Sequence, residues 1–148
     1  NDTFIKDLGI DISRLPGGGA AGGMGAGVCA LLGAELKMGI ETVLNMVGFD
    51  EMLTDADLVF TGEGRLDGQS LRGKVVIGVA RRAAMQKVPV VAVVGDIAKG
   101  SEKVYEEGVT AVFSTNTVAM DFSKSKPYAK ENLRITMRNL MRFAHKFD

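Results

Sequence analysis

Apolar positions fall into two alternating patterns along this chain. Ile40, Val43, Leu44 and Val47 follow the i, i+3, i+4, i+7 spacing of one helix face, and Gly48 supplies a stop. From Lys74 the helical pattern returns through Val76, Val79, Ala80 and Ala83 and ends near Val88, which the following Pro89 biases toward extended geometry. Between these helices, residues 57–61 read as a short strand running into glycine, with the chain then turning through Gly62, Gly64 and Gly68. Residues 90–94 have no polar alternation, as expected of a parallel strand covered on both faces, and end in Gly95-Asp96. A short helix from about Ser101 stops at Gly108, residues 109–114 make another strand, and a last helix carries Leu133, Met137, Leu140, Met141 and Ala144. Strands alternating with helices predict an α/β fold with a mainly parallel sheet. Ligands gather beyond the carboxyl ends of such strands, here near Gly62, Gly95 and Asn116.

Composition narrows the function classes. A chain of 148 residues, 46% hydrophobic and 24% charged, suits a folded unit with a substantial core. Eighteen basic residues balance eighteen acidic ones, so no field of one sign draws the chain to nucleic acid or to an anionic membrane. Any anionic ligand must be held locally. Cys29 is the single cysteine, which excludes an intrachain disulfide, and no Cys or clustered His suggests a metal site, so the cytoplasm is the expected compartment. Apolar runs are short and broken, and no segment spans or targets a membrane. The first clear signal after Asn1 is a glycine loop, which suggests a piece of something longer that lacks its N-terminal portion.

Three segments carry candidate chemistry. Gly17, Gly19 and Gly22, with Gly18 between them, satisfy G-x-G-x-x-G, and a small-residue helix running to about Leu36 follows, so backbone amides could face a phosphate. No strand precedes this loop and no acidic residue is placed to hold a ribose, which argues against a dinucleotide-binding oxidoreductase; tight packing of a glycine-rich helix is the plain alternative. Residues 68–74 match G-x-x-x-x-G-K, but Val75 stands where a P-loop needs a hydroxyl for magnesium. Lys74 is then either a phosphate contact at a helix start or a solvated lysine. The densest segment sets Glu63, Arg65, Asp67, Gln69 and Ser70 among Gly62, Gly64 and Gly68 directly after an apolar strand. Glycines admit a ligand to the backbone, a carboxylate can hold magnesium or orient a hydroxyl proton, and a guanidinium grips a carboxylate or phosphate bidentately. The alternative is a surface turn carrying an ion pair. Lys130, Arg134, Arg138, Arg142 and Lys146 recur every fourth residue and mark the solvated side of the last helix, and His145 has no partner in sight.

Three stretches together resemble bacterial glycerate kinases: Pro16-Gly-Gly-Gly-Ala-Ala-Gly-Gly-Met-Gly25, Ala56-Asp-Leu-Val-Phe-Thr-Gly-Glu-Gly-Arg-Leu-Asp-Gly-Gln-Ser70 and Gly73-Lys-Val-Val-Ile-Gly-Val-Ala80. Gly18 stands where alanine is expected, and Val75-Val76 where a small residue and proline are expected. The resemblance implies phosphorylation of D-glycerate with ATP and Mg2+, giving 2-phosphoglycerate in preference to 3-phosphoglycerate. It also implies a Rossmann-like sheet with helices on both faces, within a two-domain architecture whose active site lies in the cleft. Residues 1–72 would then end one α/β domain, and residues 73–148 would belong to the other. Asp67 is the expected base or Mg2+ ligand, with Glu63 beside it. Arg65 is the expected anchor for the glycerate carboxylate or the transferred phosphoryl group. Lys74 and the amides of residues 17–22 are the expected phosphate contacts. A competing expectation is a catalytically inert anion- or nucleotide-sensing module that keeps these loops without the rest of the cleft.

Overall fold

The computed structural model describes residues 1–68, 70 and 74–146. Two compact units divide the chain, Asn1–Gly39 and Ile40–Asp148.

The first unit contains α1 (Asp2–Leu8) and α2 (Ala20–Leu32), each closed by a left-handed glycine, Gly9 and Gly33. The pattern of apolar residues gave no sign of α1, and α2 stops at Leu32 rather than near Leu36 because the αL turn at Gly33 ends it. Asn1 and Asp11 knit the start of the chain: Asn1 Nδ2 donates to Asp11 Oδ1 at 3.1 Å, and the N–H of Ile12 donates to Asn1 Oδ1 at 3.0 Å. Hydrogen bonds from the hydroxyl and N–H of Ser13 hold the Asp11 carboxyl below the usual carboxylate range. Among the described residues this unit buries only Gly18, Gly25 and Ala26. Met24, Leu31 and Leu32 remain exposed.

The second unit runs α3 (Gly39–Met46), α4 (Phe49–Met52), β1 (Val59–Leu66), α5 (Val75–Met85), β2 (Val90–Ile97), a 3-10 turn over Ser101–Tyr105 and β3 (Ala111–Ser114). It closes with α6 (Phe122–Ser125), a second 3-10 turn over Lys126–Tyr128 and α7 (Ala129–Ala144). The strands form one parallel sheet in the order β1-β2-β3. Its centre is β2, whose apolar run matches the sequence expectation and then continues through Gly95 and Asp96 to Ile97. Val90, Ala92 and Val94 are completely buried, together with Val76, Ile77, Ala80 and Ala83 of α5. Each fully buried aliphatic side chain of this size contributes roughly 1.5–3 kcal/mol, so this sandwich of α5 on the sheet is the main core. The opposite face is more open. There Ala129, Leu133 and Met137 of α7 stand over Phe60 and Val93 across a cavity of about 540 Å³, and α7 has no buried residue.

Arg82 ties the helices before the sheet to α5. Its Nε and Nη2 grip both oxygens of Asp50 at 2.8 Å, Nη1 reaches Glu41 at 3.0 Å, and Nη2 also reaches Asn45 at 2.7 Å. The hydrogen-bonded Asp50 carboxylate raises the guanidinium pKa above its ordinary value.

The strand pairing also places residues on both sides of position 72 in one layer. Val59 pairs with Val90 and Leu66 with Ile97, with α5 as the crossover between them. β1, α5 and β2 therefore form one βαβ unit, which lies within the second compact unit. No helix among the described residues is long and apolar enough to cross a membrane.

Candidate active site

Glu63 and Arg65 were expected in a loop, but the structure places them in β1, opposite Val94 and Asp96 of β2. Gly62 and Gly64 lie in the same strand. The glycines read as turn signals, yet at Gly62 the missing side chain serves close approach, because a Cβ there would collide with the carbonyl oxygen of Val93. The ladder therefore persists to Leu66, whose side chain is completely buried and anchors the strand end. The chain leaves the sheet only at Asp67.

Immediately beyond this end, Ser70 joins two carboxylate residues. Its Oγ donates to Glu63 Oε1 in a short hydrogen bond and accepts the N–H of Asp67 at 3.2 Å. The N–H of Ser70 in turn lies 2.9 Å from Asp67 O and 3.3 Å from Asp67 Oδ1. Ser70 is 1% exposed, whereas Glu63 and Asp67 are half-buried. The Ser70 hydroxyl thus holds Glu63 and the turn at Asp67. Gln69 lies outside the described residues.

Arg65 points elsewhere. Its Nε lies 3.5 Å from Asp96 Oδ2, with both side chains more than half exposed. Asp96 was not among the residues singled out by sequence. The signal that could have found it is its place directly after Gly95 at the end of an apolar run, where parallel sheets carry their chemistry.

Lys74 is the N-cap of α5 and is exposed, with its N–H 3.4 Å from Ser70 O and its own carbonyl accepting the N–H of Gly78 at 2.9 Å. The start of α5 is therefore strung directly to the Glu63–Ser70–Asp67 cluster. Within the first unit, the glycine loop turns through Gly17 at φ 79° and enters α2 through a left-handed stretch at Ala21, Gly22 and Gly23. Gly18 is buried and donates its N–H to Leu15 O at 2.9 Å, which turns that amide inward. Gly19 and Gly22 have no atom near where a side chain would stand.

The arrangement offers a pair of bridged carboxylates, a guanidinium and a helix start carrying lysine, all at the carboxyl end of a parallel sheet. A carboxylate pair of this kind can accept a hydroxyl proton or support a divalent cation, and the guanidinium can receive an anion.

Comparison with known proteins agrees in family. The model of the glycerate kinase family matches residues 1–145. A glycerate kinase of Bacillus cereus is 44% identical over 130 residues, which cover 88% of this chain and 34% of the relative. The glycerate 2-kinase of Escherichia coli is 43% identical over 139 residues, covering 94% of this chain and 36% of the relative. A crystal structure from Salmonella typhimurium LT2, assigned to glycerate kinase 2, superposes with a TM-score of 0.69 at 41% identity and covers 96% of this chain and 36% of that one. The chain thus spans about a third of the length of the curated relatives it matches. With residues 1–145 of its 148 matched by the family model, the chain belongs to the glycerate kinase family.

Proposed function

We propose that the full-length protein containing this chain phosphorylates D-glycerate with ATP, and that this chain is its C-terminal part. The observation that carries the reading is the Glu63–Ser70–Asp67 cluster beside Arg65, set at the carboxyl end of the sheet in a chain whose family is that of glycerate kinases. A glycerate hydroxyl oxygen bonds to the γ-phosphorus, the bond from that phosphorus to the bridging oxygen breaks, and ADP leaves. The hydroxyl proton passes to a carboxylate, for which Asp67 is the assigned base. Phosphoryl transfer is catalysed mainly by positioning and charge neutralisation, which is the work assigned to Arg65 and to Lys74 with the loop amides other than Gly18.

Mg2+ suits the donors present, since it needs only one or two protein carboxylates beside substrate phosphates and water, and Glu63 and Asp67 supply oxygens of that kind at one strand end. Asp67 is the ligand in the alternative assignment in which it does not act as the base. Held there, the ion would supply charge neutralisation for the nucleotide phosphates.

In this reading the N-terminal portion of the protein completes a cleft between two domains, and the enzyme works in the cytoplasm without nucleic acid or membrane partners. The 2-hydroxyl is the assigned acceptor. The test is to incubate the full-length protein and the isolated 148-residue chain separately with ATP, Mg2+ and D-glycerate, and to identify the product by phosphorus NMR. The full-length protein should give 2-phosphoglycerate and the isolated chain none. Turnover by the isolated chain at the parental rate would overturn the fragment reading, and 3-phosphoglycerate would overturn the regiochemistry.

A further inference from the structure

A second, smaller cavity of about 250 Å³ lies at the carboxyl ends of all three strands, where Gly64 of β1, Gly95 of β2 and Thr115 just after β3 line it. Its charged and carboxamide groups come from Asp96, Asn116, Lys126 and Asn132, four residues from four separate segments, and the hydroxyl residues Thr115 and Ser125 also line it. None of them belongs to the Glu63–Ser70–Asp67 cluster, yet Gly64 is the neighbour of Glu63 along β1 and Asp96 carries Arg65 at 3.5 Å. The cavity is therefore lined by the strand neighbour of Glu63 and by the ion-pair partner of Arg65.

Its charge and size select a ligand class. One ammonium stands with one carboxylate, two carboxamides and two hydroxyl residues, so a polyphosphate bearing several negative charges would meet a single cation and a repelling Asp96. A monoanion with hydroxyl groups fits better. Lys126 and Asn132 can donate to a carboxylate, while Asp96 accepts from a hydroxyl and Asn116 can do either. The volume is also below the roughly 300–1,000 Å³ common for drug-sized ligands, as a small acid requires.

We infer that this pocket seats the phosphoryl acceptor, a small hydroxycarboxylic acid, with its carboxylate toward Lys126 and Asn132 and its hydroxyls toward Asp96 and Asn116. The inference rests on the kinase reading above and deepens it. It leaves Arg65 to meet the transferred phosphoryl group.

The test uses the full-length protein and D-glycerate, with Lys126→Met, Asn132→Asp and Asn116→Ala made separately so that a folding failure at one position leaves the others. Glycerate affinity is measured by calorimetry without nucleotide, and KM is measured for both substrates. The pocket assignment expects KM for glycerate to rise about tenfold or more in Lys126→Met and Asn132→Asp, with KM for ATP within about twofold and calorimetric affinity falling in parallel. Folded variants with unchanged glycerate affinity, or with KM raised for ATP instead, would overturn the pocket while leaving the kinase reading intact. A wild-type protein that neither binds nor phosphorylates glycerate would overturn both.

Discussion

Arg65 and Asp96 are register partners on adjacent parallel strands, and their side chains meet 3.5 Å apart at the rim of the sheet. Both are more than half exposed, so the pair contributes at most about 1 kcal/mol to stability. Arg65→Met should leave the melting temperature of the full-length protein nearly unchanged while lowering kcat/KM by about 100-fold or more, as expected for loss of a guanidinium that stabilises transferred phosphate. A melting temperature that falls with activity intact would make the pair structural.

Ser70→Ala tests the tie between the Glu63 carboxylate and the turn at Asp67. The hydroxyl is buried and serves Glu63 and Asp67 at once, so its loss should cost about 1–3 kcal/mol in denaturant unfolding. It should lower kcat more than it raises KM for either substrate, because it positions groups rather than touching substrate. An unaltered unfolding midpoint would mean that water replaces the hydroxyl without loss.

Lys74→Met separates phosphate contact from helix solvation. The aliphatic stem is kept, so stability should hardly move, and a true phosphate contact should weaken kcat/KM for ATP, each tenfold loss corresponding to about 1.4 kcal/mol. Unchanged kinetics in a stable variant would assign the match of residues 68–74 to a P-loop spelling to coincidence and shift phosphate binding to the loop at Gly17, Gly19 and Gly22 or to the rest of the protein.

The helix tie makes a prediction about stability alone. Arg82 is 15% exposed at its side chain and holds three partners, whereas Arg81 is 53% exposed and holds Glu107. Arg82→Met should therefore depress the melting temperature clearly more than Arg81→Met, with no selective change in KM for either. Equal shifts would show that the network adds nothing beyond a surface ion pair.

What the sequence made legible follows from which signals are local. The apolar run at 90–94 reappears as β2 and the helical spacing of Ile40, Val43 and Leu44 as α3, but of that helix face only Leu44 is buried, while Val43 and Val47 are exposed. The polar density at Glu63, Arg65 and Asp67 was visible, but its geometry was not. Gly62 reads as a breaker until the carbonyl of Val93 is known to lie against it, so the strand looked shorter than it is. The role of Ser70 and the partnership of Arg65 with Asp96 depend on a turn geometry and a strand register that no spacing encodes. Asn116, Lys126 and Asn132 come together only through the fold of the segment after β3.

The most direct measurement is ADP release by the full-length protein with ATP and Mg2+, with and without D-glycerate, for the wild type and Asp67→Asn. The account predicts glycerate-dependent ADP release by the wild type, and a variant that remains folded but is slower by about 100-fold or more, the scale of a lost general base. ADP release indifferent to glycerate, or an Asp67→Asn variant as fast as the wild type, would contradict it.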